Sequence, residues 1–164
     1  GFMGTGKTAV GQALASRLRY DFLDTDLMVE EETKKSITEI FDQEGEARFR
    51  DHEKKMVKKA LAGDKVVIAT GGGAVVDPEN LSLIKERGVL IALSASPELI
   101  LERVRKMQPR PLLREKDQLE AIKTLLSRRS VYYRQADQIV DTSGKSIEAT
   151  VDEILKALHA NDPS

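Results

Sequence analysis

Two hydrophobic rhythms alternate along the chain. Over residues 8–19, Val10, Leu14 and Leu18 recur four apart, which makes one apolar stripe on a helix. Asp21-Phe22-Leu23-Asp24 then reads as a very short strand ending in carboxylates. A helix is expected from about Leu27, and Ser36 caps another over 37–41, with Glu39 three residues on completing a capping box. Gly45 interrupts that pattern before a longer helix over 47–61, which Gly63 stops. Val66-Val67-Ile68-Ala69 is an unbroken apolar run that empties into Gly71-Gly72-Gly73, and it predicts a fully buried strand. Asp77-Pro78 and Ser96-Pro97 each pair a cap with proline at the first helical position, and Gly88 closes the first of these two helices. Residues 89–93 predict a second buried strand. Pro109-Arg110-Pro111 opens a loop to about Asp117, because proline cannot continue the preceding helix. A helix over 118–135, a short strand over 139–141 and a closing helix from Ser146 through Leu158 complete the pattern; Ile147, Val151, Ile154 and Leu158 share one face of the last.

Helices alternating with short β-branched runs predict an α/β domain around a mainly parallel sheet. No repeat, low-complexity tract or linker divides the 164 residues, so a single domain over 1–164 is expected. With 40% hydrophobic and 32% charged residues and no apolar run near the ~20 needed to cross a bilayer, the composition is that of a globular chain without membrane spans. The absence of cysteine excludes disulfides, thiolate nucleophiles and cysteine-ligated zinc, and agrees with a reducing interior. Neither His52 nor His159 has a metal-ligand neighbour at a useful spacing.

The net charge of -1 argues against broad nucleic-acid or anionic-membrane binding. Its distribution is uneven: residues 21–53 hold 12 acidic and 4 basic side chains, whereas residues 103–134 hold 10 basic and 3 acidic. Two solvated helical faces of opposite sign would produce this. So would a basic half that closes over an anionic ligand.

The most specific signal is Gly1-Phe2-Met3-Gly4-Thr5-Gly6-Lys7-Thr8, which fits G-x-x-x-x-G-K-[ST] and leads directly into a helical stripe. Glycines let successive backbone N–H groups turn toward phosphate oxygens, and the helix start adds partial positive charge at the same place. Lys7 would reach the β- and γ-phosphates and the Thr8 hydroxyl would ligate Mg²⁺. A buried strand normally precedes such a loop; the expectation is that a few further N-terminal residues supply it, since a sheet without its middle strand would leave backbone groups unpaired.

The acceptor has to be read elsewhere. Asp24-Thr25-Asp26 closes the first strand, where open α/β sheets place ligands, and two carboxylates on alternate residues can divide metal and proton duties. The triple glycine after a strand lets a ligand touch backbone. Arg50, Arg110 and Arg129 carry guanidinium forks suited to carboxylate or phosphate.

In this order the segments resemble shikimate kinase: the phosphate loop 1–8, Asp24-Thr25-Asp26, Phe49-Arg50 with Glu53, Gly71-Gly72-Gly73-Ala74, Arg110-Pro111-Leu112-Leu113, and Arg129 with Tyr133. The resemblance runs from Gly1 to about Leu158. It implies a P-loop, nucleoside-monophosphate-kinase-like three-layer fold with a central parallel five-stranded sheet, its first strand absent or truncated here, and an arginine-bearing lid at about 107–118. It implies Mg²⁺-dependent transfer of the ATP γ-phosphoryl group to the 3-hydroxyl of shikimate, a step of aromatic amino-acid biosynthesis.

By the same resemblance Lys7, Asp26 and Arg110 are catalytic, and Gly4, Thr5, Gly6, Lys7, Thr8, Arg103, Arg110 and Lys145 bind ATP. Asp26, Arg50, Gly72, Gly73 and Arg129 bind shikimate, and Thr8 with Asp24 serves Mg²⁺. Asp26 would take a shikimate hydroxyl, Arg50 and Arg129 its carboxylate, and Arg103 would stack on adenine. A cytoplasmic monomer without nucleic-acid or membrane partners is expected. The sequence departs from the family at Val131, where proline is frequent, and at Gly144-Lys145, where the adenine loop often has arginine. A gluconate-type kinase of the same fold and a nucleotide-sensing module without turnover are the alternatives.

Overall fold

The computed structural model describes residues 1–106 and 118–160. Among these residues four strands and seven α-helices follow one another: α1 (Lys7–Leu18), β1 (Asp21–Asp24), α2 (Thr25–Thr33), α3 (Ile37–Ala60), β2 (Val66–Ala69), a 3₁₀ turn (Ala74–Val76), α4 (Pro78–Arg87), β3 (Ile91–Ser94), α5 (Pro97–Arg105), α6 (Gln118–Tyr133), β4 (Gln138–Asp141) and α7 (Ile147–Ala160). The strands form two parallel pairs, β1 with β2, where Asp21 faces Val66 and Asp24 faces Ala69, and β3 with β4, where Ile91 faces Gln138 and Ser94 faces Asp141. The α/β class and the parallel pairing follow the sequence pattern. The lid expected at about 107–118, with Arg110, falls almost wholly outside the described residues.

A slot of about 710 Å³ separates β2 from β3 and is lined by both strands together with Gly1. It explains where the expected burial differs. Val66, Val67 and Ile68 are only half-buried and Ala69 alone is buried, because β2 has a hydrogen-bonded neighbour on one side only. The run over 89–93 pairs only from Ile91, and Val89 is 55% exposed. Ile147, at the first turn of α7, also lies outside the buried face that Val151 and Ile154 form.

Local chemistry sets the helix ends. Ser36 Oγ accepts from Glu39 N while the Glu39 carboxylate accepts from Ser36 N, the reciprocal cap that fixes the start of α3. Gly45 interrupts α3 as expected: at φ 83° and ψ 170°, a geometry an L side chain rarely adopts, it leaves the helical backbone, and the stretches before and after it meet at a kink. Asp24 caps α2 by accepting from Asp26 N and Leu27 N, so α2 begins at Thr25, two residues before the expected start. Val10 and Leu14 of α1 pack with Leu93, Val140, Val151 and Ile154, joining α1 and α7 to the β3–β4 pair. Val57, Ala74, Val75, Leu81 and Ile84 form a second cluster that binds α3 and α4 to the glycine turn after β2.

Candidate active site

The N-terminal loop is closed on itself before it meets any other element. The Phe2 carbonyl accepts from Thr5 Oγ1 at 2.7 Å and from Lys7 Nζ at 2.8 Å, and Thr5 is buried. Gly4 and Gly6 have φ of 76° and 94°, and Gly6 is the residue from which α1 starts. Thr8 Oγ1, on the first turn of α1, donates to Asp24 Oδ2 at 2.8 Å, which brings the hydroxyl and carboxylate expected at the metal together at the helix start. Arg103 Nη1 donates to Gly4 O at 3.1 Å and to Thr142 Oγ1 at 3.2 Å, so α5, the end of β4 and the phosphate loop are tied at one guanidinium.

One pocket of about 390 Å³ runs from this loop to the residues expected at the acceptor. Gly4, Gly6, Lys7, Thr8, Asp24 and Arg103 line one end, and Asp26, Arg50, Glu53, Gly71, Gly72, Gly73 and Arg129 line the other. The acidic stretch and the basic stretch noted in the sequence therefore meet across a single cavity, with Arg103, Lys106 and Arg129 contributing the basic side. Lys145 lies outside that lining and pairs with Glu153 of α7.

The acceptor end depends on buried charge. Arg50 Nη1 donates to Glu53 Oε2 at 2.7 Å, its Nη2 donates to Glu46 Oε1 at 3.0 Å, and the guanidinium carbon lies 5.1 Å from the Phe49 ring centroid. Arg129 is buried, 5.8 Å from the Phe2 ring centroid. Glu53 is buried too, and its Oε1 has no hydrogen-bond partner among the described residues. Burial pushes the Glu53 carboxyl above the usual range; Arg50 opposes that, and the nearby Asp26 carboxylate adds to it.

Neither neighbour of Gly72 has room for a side chain. A Cβ on Gly71 would stand 2.5 Å from Glu53 Oε1 and 2.8 Å from Asp26 Oδ1, and one on Gly73 would stand 2.6 Å from Arg50 Nη1. Such contacts show that the turn lies directly against the carboxylates on one side and the arginine on the other.

Several side chains at the site have contacts that the sequence reading assigned to none of them. Thr25 Oγ1, fully buried, accepts from Gly71 N at 3.2 Å and so fastens the start of α2 to the glycine turn. Tyr133 Oη donates to Gly72 O at 2.7 Å. Thr142 Oγ1 donates toward Ser94 O and Thr5 O, at 3.0 and 3.2 Å. Ile37, Phe41 and Phe49 give the pocket an apolar wall. Thr25, Phe49 and Tyr133 stand inside motifs that the sequence offered, whereas Ile37, Phe41 and Thr142 had no such signal.

The shikimate kinase family model matches residues 3–159. The chain belongs to the shikimate kinase family. A shikimate kinase from Pelotomaculum thermopropionicum is 48% identical over 158 residues, spanning 96% of this chain and 92% of the relative. The solved shikimate kinase from Acinetobacter baumannii, in complex with shikimate, superposes with a TM-score of 0.96 at 34% identity, covering 100% of this chain and 92% of that one. A gluconokinase from Sinorhizobium meliloti superposes at a TM-score of 0.63 with 17% identity, covering 98% of this chain and 89% of that one, which is a likeness of fold alone. The shikimate kinase neighbours place this member of the family in the nucleoside-monophosphate-kinase-like P-loop class.

Proposed function

We propose that this shikimate kinase family member transfers the γ-phosphoryl group of ATP in line to the 3-hydroxyl of shikimate, with the residue roles that follow. The observation that carries the reading is the single pocket in which a glycine-lysine loop faces two arginines and a carboxylate across about 390 Å³. Gly4, Thr5 and Gly6 offer backbone to the phosphates and Lys7 neutralises charge between the β- and γ-groups, since this chemistry asks mainly for positioning and electrostatics. Arg50 and Arg129 take the shikimate carboxylate, Gly72 and Gly73 present backbone to it, and Asp26 accepts a hydrogen bond from the attacking hydroxyl and then its proton. Arg103 stacks on adenine and Lys145 edges the base. Arg110, outside the described residues, reaches the transferring phosphate from a lid whose closure excludes water.

Thr8 and Asp24 fit Mg²⁺. They offer only hard oxygen donors, already 2.8 Å apart at a helix start, and no cluster of three or more acidic or histidine ligands occurs among the described residues, as suits an ion that keeps waters and phosphate oxygens. When bound, Mg²⁺ offsets charge on the phosphate oxygens. The finer architecture belongs to the same proposal: three layers, with five parallel strands, the slot between β2 and β3 taking the fifth. So does a monomer working in the cytoplasm; no helix among the described residues is long and apolar enough to cross a membrane.

The test is a coupled ADP-release assay with shikimate, with gluconate and without acceptor, each with and without Mg²⁺. Release that needs both shikimate and Mg²⁺ is expected. Release independent of acceptor would reduce the protein to an ATPase, and release with gluconate alone would reassign the acceptor end.

A further inference from the structure

We infer that Tyr133 is a positioning residue for the acceptor: its hydroxyl holds the glycine turn from behind, so that the turn's next amide faces the pocket. Tyr133 Oη donates to Gly72 O at 2.7 Å across 61 positions of sequence. In a trans peptide the carbonyl of one residue and the N–H of the next point in opposite directions, and the described backbone has no cis bond. A Gly72 carbonyl fixed toward Tyr133 therefore aims the Gly73 N–H the other way. Gly73 lies against Arg50, and Gly72 lies near Arg129 Nη1, about 3.5 Å from where its Cβ would be. Glycines have no side chain to set such a peptide plane, so an outside hydrogen bond has to do it.

The ring is well anchored for this purpose. It packs against the cluster of Phe2, Ile100 and Ile122 on one side and that of Val57, Ala74 and Val75 on the other. Tyr133 and Arg129 lie four residues apart on α6, one above the other on the same face, so one helix sets both the carboxylate-binding arginine and the clamp. Burial pushes the phenol up from its ordinary value, opposed by Arg129 through its charge and a hydrogen bond and by the charge of Arg50, and the hydroxyl remains a donor at neutral pH.

The inference rests on the acceptor reading above, and kinetics separate the two. Tyr133→Phe keeps the ring and removes one oxygen; it is expected to raise the shikimate KM about fivefold while the ATP KM stays within about twofold. Tyr132→Phe, one residue away, is expected to change neither. Replacing Tyr133 by 3,5-difluorotyrosine, whose phenol ionises near neutrality, is expected to give a shikimate KM that climbs with pH where the wild type stays level. A purely packing role would produce neither the KM split nor that pH profile. Unchanged shikimate KM in Tyr133→Phe, or equal rises in both KM values, overturns the clamp; wild-type protein that does not phosphorylate shikimate overturns the acceptor reading, and the clamp with it.

Discussion

The two ends of the pocket are built differently. The end proposed for the nucleotide draws on the short consecutive stretch Gly4 to Thr8, with Asp24 and Arg103 beside it, and the loop is stiffened by hydrogen bonds onto the Phe2 carbonyl. The acceptor end is assembled from Asp26, Arg50, Glu53, Gly71 to Gly73 and Arg129, more than a hundred positions apart in sequence, and it keeps a carboxylate and a guanidinium buried. A contiguous cradle is specified by short-range torsions. A dispersed pocket exists only once the fold has formed, and it fails when one member of a charge pair is removed, because the other is left without compensation.

That contrast can be broken most severely at Lys7, whose ammonium is held by the Phe2 carbonyl within the cradle. Lys7→Met is expected to lower kcat by about a thousandfold with the fold intact, as measured by single-turnover kinetics beside circular dichroism; near-normal turnover would remove Lys7 from the phosphate role. At the dispersed end, Arg129→Ala is expected to raise the shikimate KM by about a hundredfold and leave the ATP KM within a few-fold, since a charged hydrogen-bonding pair is lost. Equal effects on both constants would erase the division between the ends. Gly73→Ala is expected to raise the shikimate KM about tenfold, because its Cβ would meet Arg50 Nη1 at 2.6 Å and displace the guanidinium.

A pH experiment sharpens the same comparison. Glu53 binds its proton more tightly in the folded chain than in the unfolded one, so it favours the fold at acid pH, and that contribution fades as pH rises from the ordinary carboxyl value through the raised one. The stability of the wild type relative to Glu53→Gln is therefore expected to fall with pH across that window in denaturant titrations; a flat difference would mean that burial does not govern this carboxyl. The smallest effect is expected at Gly45, where nothing lies within 4 Å of an added Cβ but φ is 83°. Gly45→Ala is expected to cost about 1 kcal/mol of stability through torsional strain, with kinetics unchanged.

What was legible in the sequence follows the same division. The Ser36–Glu39 box, the Asp77-Pro78 and Ser96-Pro97 starts and the phosphate loop are patterns within a few residues, and each appears where its spacing placed it. The half-burial of Val66 to Ile68 depends on what flanks β2, which no local run records. Gly45 read as an interruption and is one: its backbone at φ 83° and ψ 170° is non-helical, and two helical stretches meet there at a kink, as a glycine between two apolar patterns led one to expect. The fastenings from Thr25 to Gly71, Tyr133 to Gly72 and Thr142 to Thr5 join residues 46, 61 and 137 positions apart, and hydroxyl side chains at such separations leave no periodic trace.

The apolar wall of Ile37, Phe41 and Phe49, with the two rings 4.8 Å apart, has a consequence for selectivity. A compact carbocycle can lay its hydrocarbon side on those rings while its oxygens face arginine and carboxylate. A flexible open-chain polyol has hydroxyls on every side, and some would be dehydrated against phenylalanine without a partner. With the acceptor placed as proposed, the lining itself would favour ring over chain, without any contact that has to measure the length of the molecule.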